Sequence, residues 1–282
     1  MNTLAEILDL EQIDARVFRG RSRKTDVARV FGGEVAGQAL VAAGRTVPDD
    51  RRVHSLHSYF LRPGDPGASI LYQVDAIRDG RSFTTRRVVA TQHGEAIFHL
   101  SASFHIDEKG VSHQVPQLVA PAPEHLPTAE ESLAHADQRT HEWFARLRER
   151  LPVEYRFPEE LPRLASTRGE LGPPHQRVWL RSAQPLSDDP LVHVCAATYA
   201  SDMFLLSSAL PPHGAVIDHP GMQVASLDHA VWFHARFRAD DWLLYEQEGT
   251  WAGGARALCR GSLFDRNGTL VASVVQEGLI RQ

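Results

Sequence analysis

Hydroxyl, carboxyl and imidazole side chains are concentrated in one short stretch of the sequence, residues 222–234. Ser226, Asp228, His229 and His234 are interleaved there with apolar and β-branched residues, a pattern that predicts a strand. A serine, an acid and a histidine are also the components of a nucleophilic triad. In a strand, residues 226 and 228 point to one face and residue 229 to the other, so the imidazole would not bridge the other two groups. Because no GxSxG motif occurs either, a serine hydrolase is not expected.

A weaker copy of this stretch lies far upstream, at residues 53–60. Ser55 in that copy aligns with Ser226 at an offset of 171 residues, and Gly94 aligns with Gly268 at an offset of 174. Offsets that stay this steady over most of a chain indicate an internal duplication.

Both copies show the same order of predicted elements, which is a short strand, an apolar helix rich in small residues and a meander of strands. Asp-Gly, His-Gly and Asn-Gly pairs separate the strands, as in hairpins. Helices with apolar residues nearly all round are expected to be enclosed by other structure. The predicted helices are residues 1–13, 31–44, 131–151 and 194–210, and the longest predicted strand of the second copy is 223–234.

The domain organisation follows from this repetition. We predict an N-terminal unit over residues 1–110, a linker with an amphipathic helix over 111–174, and a C-terminal unit over 175–282. A helix followed by an antiparallel meander is an α+β unit. The two units are expected to join their sheets into one continuous sheet, which hides strand edges.

The composition is that of a soluble globular protein, with 23% charged and 43% hydrophobic residues. A net charge of -5 gives no reason to expect binding to nucleic acid or to an anionic membrane. Two cysteines without a CxxC motif suit the reducing cytoplasm. The 15 histidines include no HExxH or comparable ligand set, so no metal site is predicted.

Several motifs, in order along nearly the whole chain, resemble those of the acyl-CoA thioesterase II family, which is choloyl-CoA hydrolase-like. The resemblance implies a double hotdog fold, in which two long helices are each wrapped by a curved antiparallel sheet. It also implies hydrolysis of acyl-CoA to a free fatty acid and CoA, without a metal or organic cofactor. The motifs are Phe31-Gly32-Gly33, Gly37-Gln38-Ala39-Leu40, residues 57–65, residues 78–83, Leu227-Asp228-His229, Trp232-Phe233-His234 and Val275-Gln276-Glu277-Gly278.

Members of this family activate water with an acid, a hydroxyl and an amide, and the matching positions here are Asp202, Ser226 and Gln276. Many members have threonine where this chain has Ser226. The residues alone leave other interpretations open. Asp202 has apolar neighbours that would partly desolvate a general base, but it could instead be the N-cap of a helix beginning at Met203. Ser226 could be an ordinary strand serine, and Gln276 could be a strand end that reaches solvent.

Weaker candidates for substrate binding accompany the trio. Gly32 and Gly33 stand where a helix begins, and their N–H groups could bind the thioester oxygen. His57 lies on the strand that corresponds to the Ser226 strand. Arg86 and Arg256 could meet CoA phosphates, although solvated charge at strand ends is the more ordinary explanation.

Two other functions are compatible with the sequence. A hydratase or dehydratase of the same fold would need a catalytic histidine or glutamate on the central helix, which offers only Asp202 after His193. A non-catalytic acyl-CoA-binding protein would lose the acid, the hydroxyl and the amide together. We also expect a homo-oligomer, a dimer or tetramer, because further pairing of such units is common in the family.

Overall fold

The structure, a computed structural model, describes residues 3–21 and 29–281. The helices are α1 Leu4–Leu8, α2 Gly32–Gly44, α3 Ala129–Ser132, α4 Gln138–Arg150, α5 Pro162–Thr167 and α6 Pro190–Ser201. The strands are β1 Glu11–Asp14, β2 Val17–Gly20, β3 Arg52–Phe60, β4 Ile70–Asp79, β5 Phe83–Gln92, β6 Glu95–His105, β7 Val153–Arg156, β8 His175–Ser182, β9 Gln223–Ser226, β10 Asp228–Phe233, β11 Leu243–Gly253, β12 Arg256–Phe264 and β13 Leu270–Arg281.

The strands pair antiparallel in one continuous sheet with the order β1-β2-β4-β5-β6-β3-β10-β13-β12-β11-β8-β7, and β9 pairs with β13. The order β2-β4-β5-β6-β3 in the first half is mirrored by β8-β11-β12-β13-β10 in the second. The halves meet where β3 pairs with β10. This arrangement confirms the predicted α+β double hotdog and the duplication.

The two long helices pack against each other inside the sheet. Their contacts run in opposite directions along the chain, since Gly33 faces Tyr199 and Gly37 faces Cys195. Small residues make this close approach possible, because a Cβ at Gly33 would lie only 2.2 Å from the carbonyl oxygen of Tyr199. The helices and the inner face of the sheet form the main hydrophobic core.

The linker packs against the molecule on both sides of the second half. Its extended part covers a small second core of Trp179, Trp242, Leu244 and Phe264, and the Trp179 indole donates to the carbonyl oxygen of Pro121. Leu244 precedes the inward-facing Tyr245, so this second core lies on the face of the sheet opposite the helices.

Some predicted elements differ in extent from the observed ones. The predicted helix 131–151 is divided into α3 and α4, because Asp137 caps the start of α4 by accepting from the Thr140 N–H. The predicted helix 194–210 begins earlier and ends at Ser201, and the strand 223–234 is divided at Leu227. Of the predicted helix 1–13, residues 1 and 2 lie outside the described residues and the remainder forms α1 and β1.

The predicted linker also contributes secondary structure that the sequence analysis did not identify. Strand β7 pairs with β8 at the edge of the sheet, in the position that β1 occupies beside β2 in the first half. The division into units 1–110, 111–174 and 175–282 therefore stays a prediction, and β7 shows that the second half of the sheet recruits residues from the linker.

We expect Gly33→Ala to lower the free energy of unfolding by about 1–3 kcal/mol, because the added methyl group would collide with the backbone of α6. Urea denaturation of the purified variant measures this loss. Gly110→Ala is the control, since its Cβ would meet nothing within 4 Å. Equal denaturation midpoints for Gly33→Ala and wild type would contradict the close helix packing.

Candidate active site

Asp202 lies at the C-terminal end of α6, where it is the C-cap residue. The helix does not continue because Phe204 has a φ of 60°, a left-handed conformation that residues other than glycine rarely adopt. The interpretation of Asp202 as the N-cap of a helix beginning at Met203 is therefore wrong. Solvent reaches the Asp202 side chain partly, although its neighbours Ser201 and Met203 are buried.

Three hydrogen-bond donors from three different parts of the chain converge on the Asp202 carboxylate. The hydroxyl of Ser226 donates to Oδ1 over 3.1 Å, and the side-chain amide of Gln276 donates to the same oxygen over 2.6 Å. The backbone N–H of Gly33 donates to Oδ2 over 2.9 Å. The structure thus brings together the three residues that the sequence analysis selected.

The Gly33 contact places Asp202 at the N-terminus of α2. Backbone N–H groups and the helix dipole make this end of a helix favourable for an anion. Gly32 adds a steric requirement, because a Cβ there would lie 2.8 Å from Oδ2 of Asp202 and 3.0 Å from the Phe60 ring. In this structure the glycine pair therefore contacts the acid, whereas the sequence analysis considered it for the thioester oxygen.

Ser226 reaches Asp202 because the strand is interrupted directly after it. Leu227 belongs to neither β9 nor β10, and its N–H donates to the carbonyl oxygen of Glu277. The interruption shifts the alternation of side chains, so that Ser226 and His229 both reach the end of α6. The expectation that residues 226 and 228 share a face, with residue 229 on the other, is therefore wrong.

The rival triad does not form even so. Asp228 accepts a hydrogen bond from the N–H of Glu277 over 2.6 Å, and His229 Nε2 lies 2.8 Å from the hydroxyl of Ser201. Burial raises the pKa of Asp228, and the charge of Glu277 adds to this effect. Asp228 and His229 are thus engaged separately, and no relay links them to Ser226.

Gln276 is completely buried, so it is not a strand end in solvent. Strand β13 continues beyond it to Arg281, paired with β9 and β12. Its Nε2 atom donates to Asp202, while its Oε1 atom is buried without a hydrogen-bond partner among the described residues. The amide is therefore held at Asp202 by its donor side alone.

His229 is a residue of this site that the sequence analysis considered only for the triad and for metals. It is fully buried, and its side chain contacts the hydroxyl of Ser201, the residue that precedes Asp202. Burial lowers its pKa, and the charge of Asp202 opposes that effect. Its position in the Leu227-Asp228-His229 motif was the available signal, but its orientation depended on the interruption at Leu227.

The other three weaker candidates, His57, Arg86 and Arg256, contact groups other than Asp202. His57 is exposed and contacts the Trp232 ring edge-on, at 5.1 Å between centroids. Arg86 is buried, with its guanidinium bound to Asp79 and to Thr46 beyond the end of α2. Arg256 pairs with Glu277 at 3.1 Å. Substrate contacts by these residues stay a prediction.

The remaining reactive groups are buried or scattered. Both cysteines, Cys195 and Cys259, are free thiols, and burial raises the pKa of each. Within residues 3–21 and 29–281, no cluster of three or more histidine, cysteine, aspartate or glutamate side chains is arranged to hold a metal ion. The helices of that same part of the chain are all too short or too polar to cross a membrane.

Comparison with known proteins places this chain in a family. The family model described as Acyl-CoA thioesterase matches residues 146–279, and the model described as Acyl-CoA thioesterase N-terminal domain matches residues 21–105. The human protein named acyl-coenzyme A thioesterase 8 is 40% identical over 98% of this chain and 88% of its own length. Acyl-CoA thioesterase 2 of Haemophilus influenzae is 37% identical over 100% of this chain and 98% of its own length.

Solved structures show the same relationship. The crystal structure of the acyl-CoA thioesterase II TesB2 from Mycobacterium marinum superposes with a TM-score of 0.80 at 45% identity, covering 99% of this chain and 98% of that one. A hot dog fold protein from Alicyclobacillus acidocaldarius, at 18% identity and a TM-score of 0.77, shares the fold.

We expect Gln276→Glu to lower the free energy of unfolding by about 2 kcal/mol or more at neutral pH, because a second buried carboxylate would face Asp202. The loss should shrink at about pH 5, because the introduced carboxyl group is buried and takes up a proton more readily than an exposed one. Chemical denaturation at both pH values measures it. Gln73→Glu, at an exposed position on β4, is the control. A deficit in Gln276→Glu that does not change with pH would contradict the contact.

Proposed function

The chain belongs to the acyl-CoA thioesterase family, and we propose that it hydrolyses acyl-CoA thioesters with a water molecule activated by Asp202, Ser226 and Gln276. The observation that carries this assignment is the convergence of the Ser226 hydroxyl and the Gln276 amide on one oxygen of the Asp202 carboxylate. A carboxylate that these hydrogen bonds hold in one position is placed to accept a proton from a neighbouring water molecule.

The hydrogen bonds leave acceptors for that water. The Oε1 atom of Gln276 has no partner within the described chain, and the Ser226 oxygen has lone pairs beyond the proton that it donates. A water molecule that donates one hydrogen to Asp202 and the other to Ser226 or Gln276 would present its oxygen lone pair to the thioester carbonyl. The amide does not titrate, so its contribution is constant over the pH range of the reaction.

The reaction is then a direct hydrolysis, in which water attacks the thioester without an acyl-enzyme. The water oxygen forms a bond to the carbonyl carbon while its proton passes to Asp202, and the tetrahedral intermediate collapses with cleavage of the carbon–sulfur bond. CoA leaves as the thiolate, which takes up the proton, and the fatty acid is the second product. Because a thiolate is a good leaving group, the mechanism needs no covalent intermediate on the protein.

The hydratase alternative is less compatible with the contacts of α6. His193 is buried, and its Nδ1 atom accepts the N–H of Ala239, near the other end of the helix from Asp202. Burial lowers the pKa of His193. The acid, the hydroxyl and the amide are also connected to one another, which favours an enzyme over a non-catalytic acyl-CoA-binding protein.

The cellular setting belongs to the same proposal. Two free, buried thiols are compatible with the cytoplasm, and an apolar tunnel between helix and sheet would hold the acyl chain. A homo-oligomer, dimer or tetramer, stays a prediction that light scattering of the purified protein measures.

We expect wild-type protein to release free CoA from at least part of an acyl-CoA series, and Asp202→Asn to lower kcat at least about 100-fold, since it removes the general base. A thiol reagent detects the released CoA, and the buried cysteines of the enzyme should add little to the signal. Saturable acyl-CoA binding without release by wild type would favour the binding protein. Full activity of a folded Asp202→Asn would contradict the assigned base.

We expect Ser226→Ala to lower kcat about tenfold or more, because the water and the Asp202 carboxylate lose one of their positioning groups. Ser55→Ala is the control, since Ser55 is also a strand serine and lies buried on β3, between Ser103 and Trp232 of the neighbouring strands. Steady-state kinetics of both variants measures the difference. Equal rates for the two would contradict the role of Ser226.

A further inference from the structure

The segment that carries Asp202, Ser201–Phe204, is bound by side chains of the sheet through its backbone. The hydroxyl of Tyr245 donates to the carbonyl oxygen of Ser201 over 2.7 Å. The amide of Gln247 donates to the carbonyl oxygen of Met203 over 2.8 Å, and the amide of Gln176 donates to that of Phe204 over 2.7 Å. Three of the four carbonyl groups in this segment are thus bound by buried side chains.

These bonds meet two physical requirements of the segment. The last carbonyl groups of a helix lack intrahelical partners, and they carry the negative end of the helix dipole. Asp202 lies at the negative end of α6, where the helix dipole disfavours a carboxylate. Donors that bind the carbonyl groups reduce this unfavourable field at Asp202. The left-handed Phe204 adds backbone strain, which persists only when surrounding contacts fix it.

The three donors are arranged on two neighbouring strands. Gln247 on β11 pairs in register with Gln176 on β8, and the Gln176 amide also donates to Oε1 of Gln247 over 2.7 Å. Tyr245 lies two residues before Gln247 on the same face. Room for its ring depends on Gly261, because a Cβ there would lie 2.3 Å from the ring. Burial raises the pKa of Tyr245, so its hydroxyl keeps the proton that it donates.

We propose that Tyr245, Gln247 and Gln176 form a carbonyl clamp that positions Asp202 for catalysis. None of the three contacts the carboxylate through the hydrogen bonds described above, so they act through the backbone as positioning residues. The inference rests on the proposed function of Asp202 as the base. It extends the active site to the strands β8 and β11.

The duplication supplies a matched reference for Tyr245. Tyr72 on β4, the strand that corresponds to β11, is equally buried. Its hydroxyl donates to Oε1 of Gln38 on α2 over 2.7 Å, and the Gln38 amide in turn donates to the carbonyl oxygen of Ile7. Replacement of either tyrosine by phenylalanine removes one buried hydroxyl, but only Tyr245 binds the segment that carries Asp202.

The experiment compares Tyr245→Phe with Tyr72→Phe in the full chain, using steady-state CoA release and thermal unfolding. We expect Tyr245→Phe to lower kcat about tenfold with KM within about threefold, because a displaced base slows the chemical step more than substrate binding. Tyr72→Phe should keep kcat within about twofold, with a similar decrease in Tm. Gln247→Met, which removes a second donor, should also lower kcat at a nearly constant KM.

Separate outcomes distinguish the two proposals. If wild type releases CoA, and Tyr245→Phe and Gln247→Met have the same kcat as wild type, the clamp is overturned. The proposed function then remains intact. Equal losses of kcat in Tyr245→Phe and Tyr72→Phe would also overturn the clamp, because the effect would then follow stability alone. Wild type that releases no CoA from any acyl-CoA would overturn both.

Discussion

Close packing of α2 against α6 is the constraint on which the site depends. Glycines at positions 33 and 37 let the two helices approach with their backbones nearly in contact. Because the helices run in opposite directions, the positive N-terminus of α2 meets the negative C-terminus of α6. Asp202 lies between these ends and accepts a hydrogen bond from the N–H of Gly33. A larger residue at position 33 would separate the helices and remove the donor at the same time.

The duplication also brings the C-terminus of α2 to the N-terminus of α6. The residues of the Asp202 cluster are not repeated at that second junction. Asp202 is the C-cap of α6, whereas the C-cap of α2 is Arg45, whose guanidinium binds the carbonyl oxygen of Leu10. By the offset of 174 residues, Ala102 stands where the second half has Gln276. Val53 stands where the second half has Ser226, because Val53 pairs with Phe104 and Ser226 pairs with Gly278, 174 residues further on. The pseudosymmetric fold therefore supports one Asp-Ser-Gln cluster.

The sequence predicted the parts of this structure that local patterns encode. Steady offsets and Gly-containing turns gave the duplicated meander, and the family motifs led to Asp202, Ser226 and Gln276, which the structure brings together. The interruption at Leu227 could not be predicted, because it depends on the Glu277 carbonyl group of another strand. The end of α6 depends likewise on Phe204 and on the side chains that bind its carbonyl group.

The linker gives the site a property that separate subunits would lack. Gly33 comes from the first half of the chain, and Asp202, Ser226 and Gln276 come from the second. If the two halves were separate chains, this contact would form only at protein concentrations above the dissociation constant of the dimer. Covalent connection through the linker makes the association intramolecular, with an effective concentration that dilution does not change. The cluster around Asp202 is therefore maintained even where the protein itself is scarce.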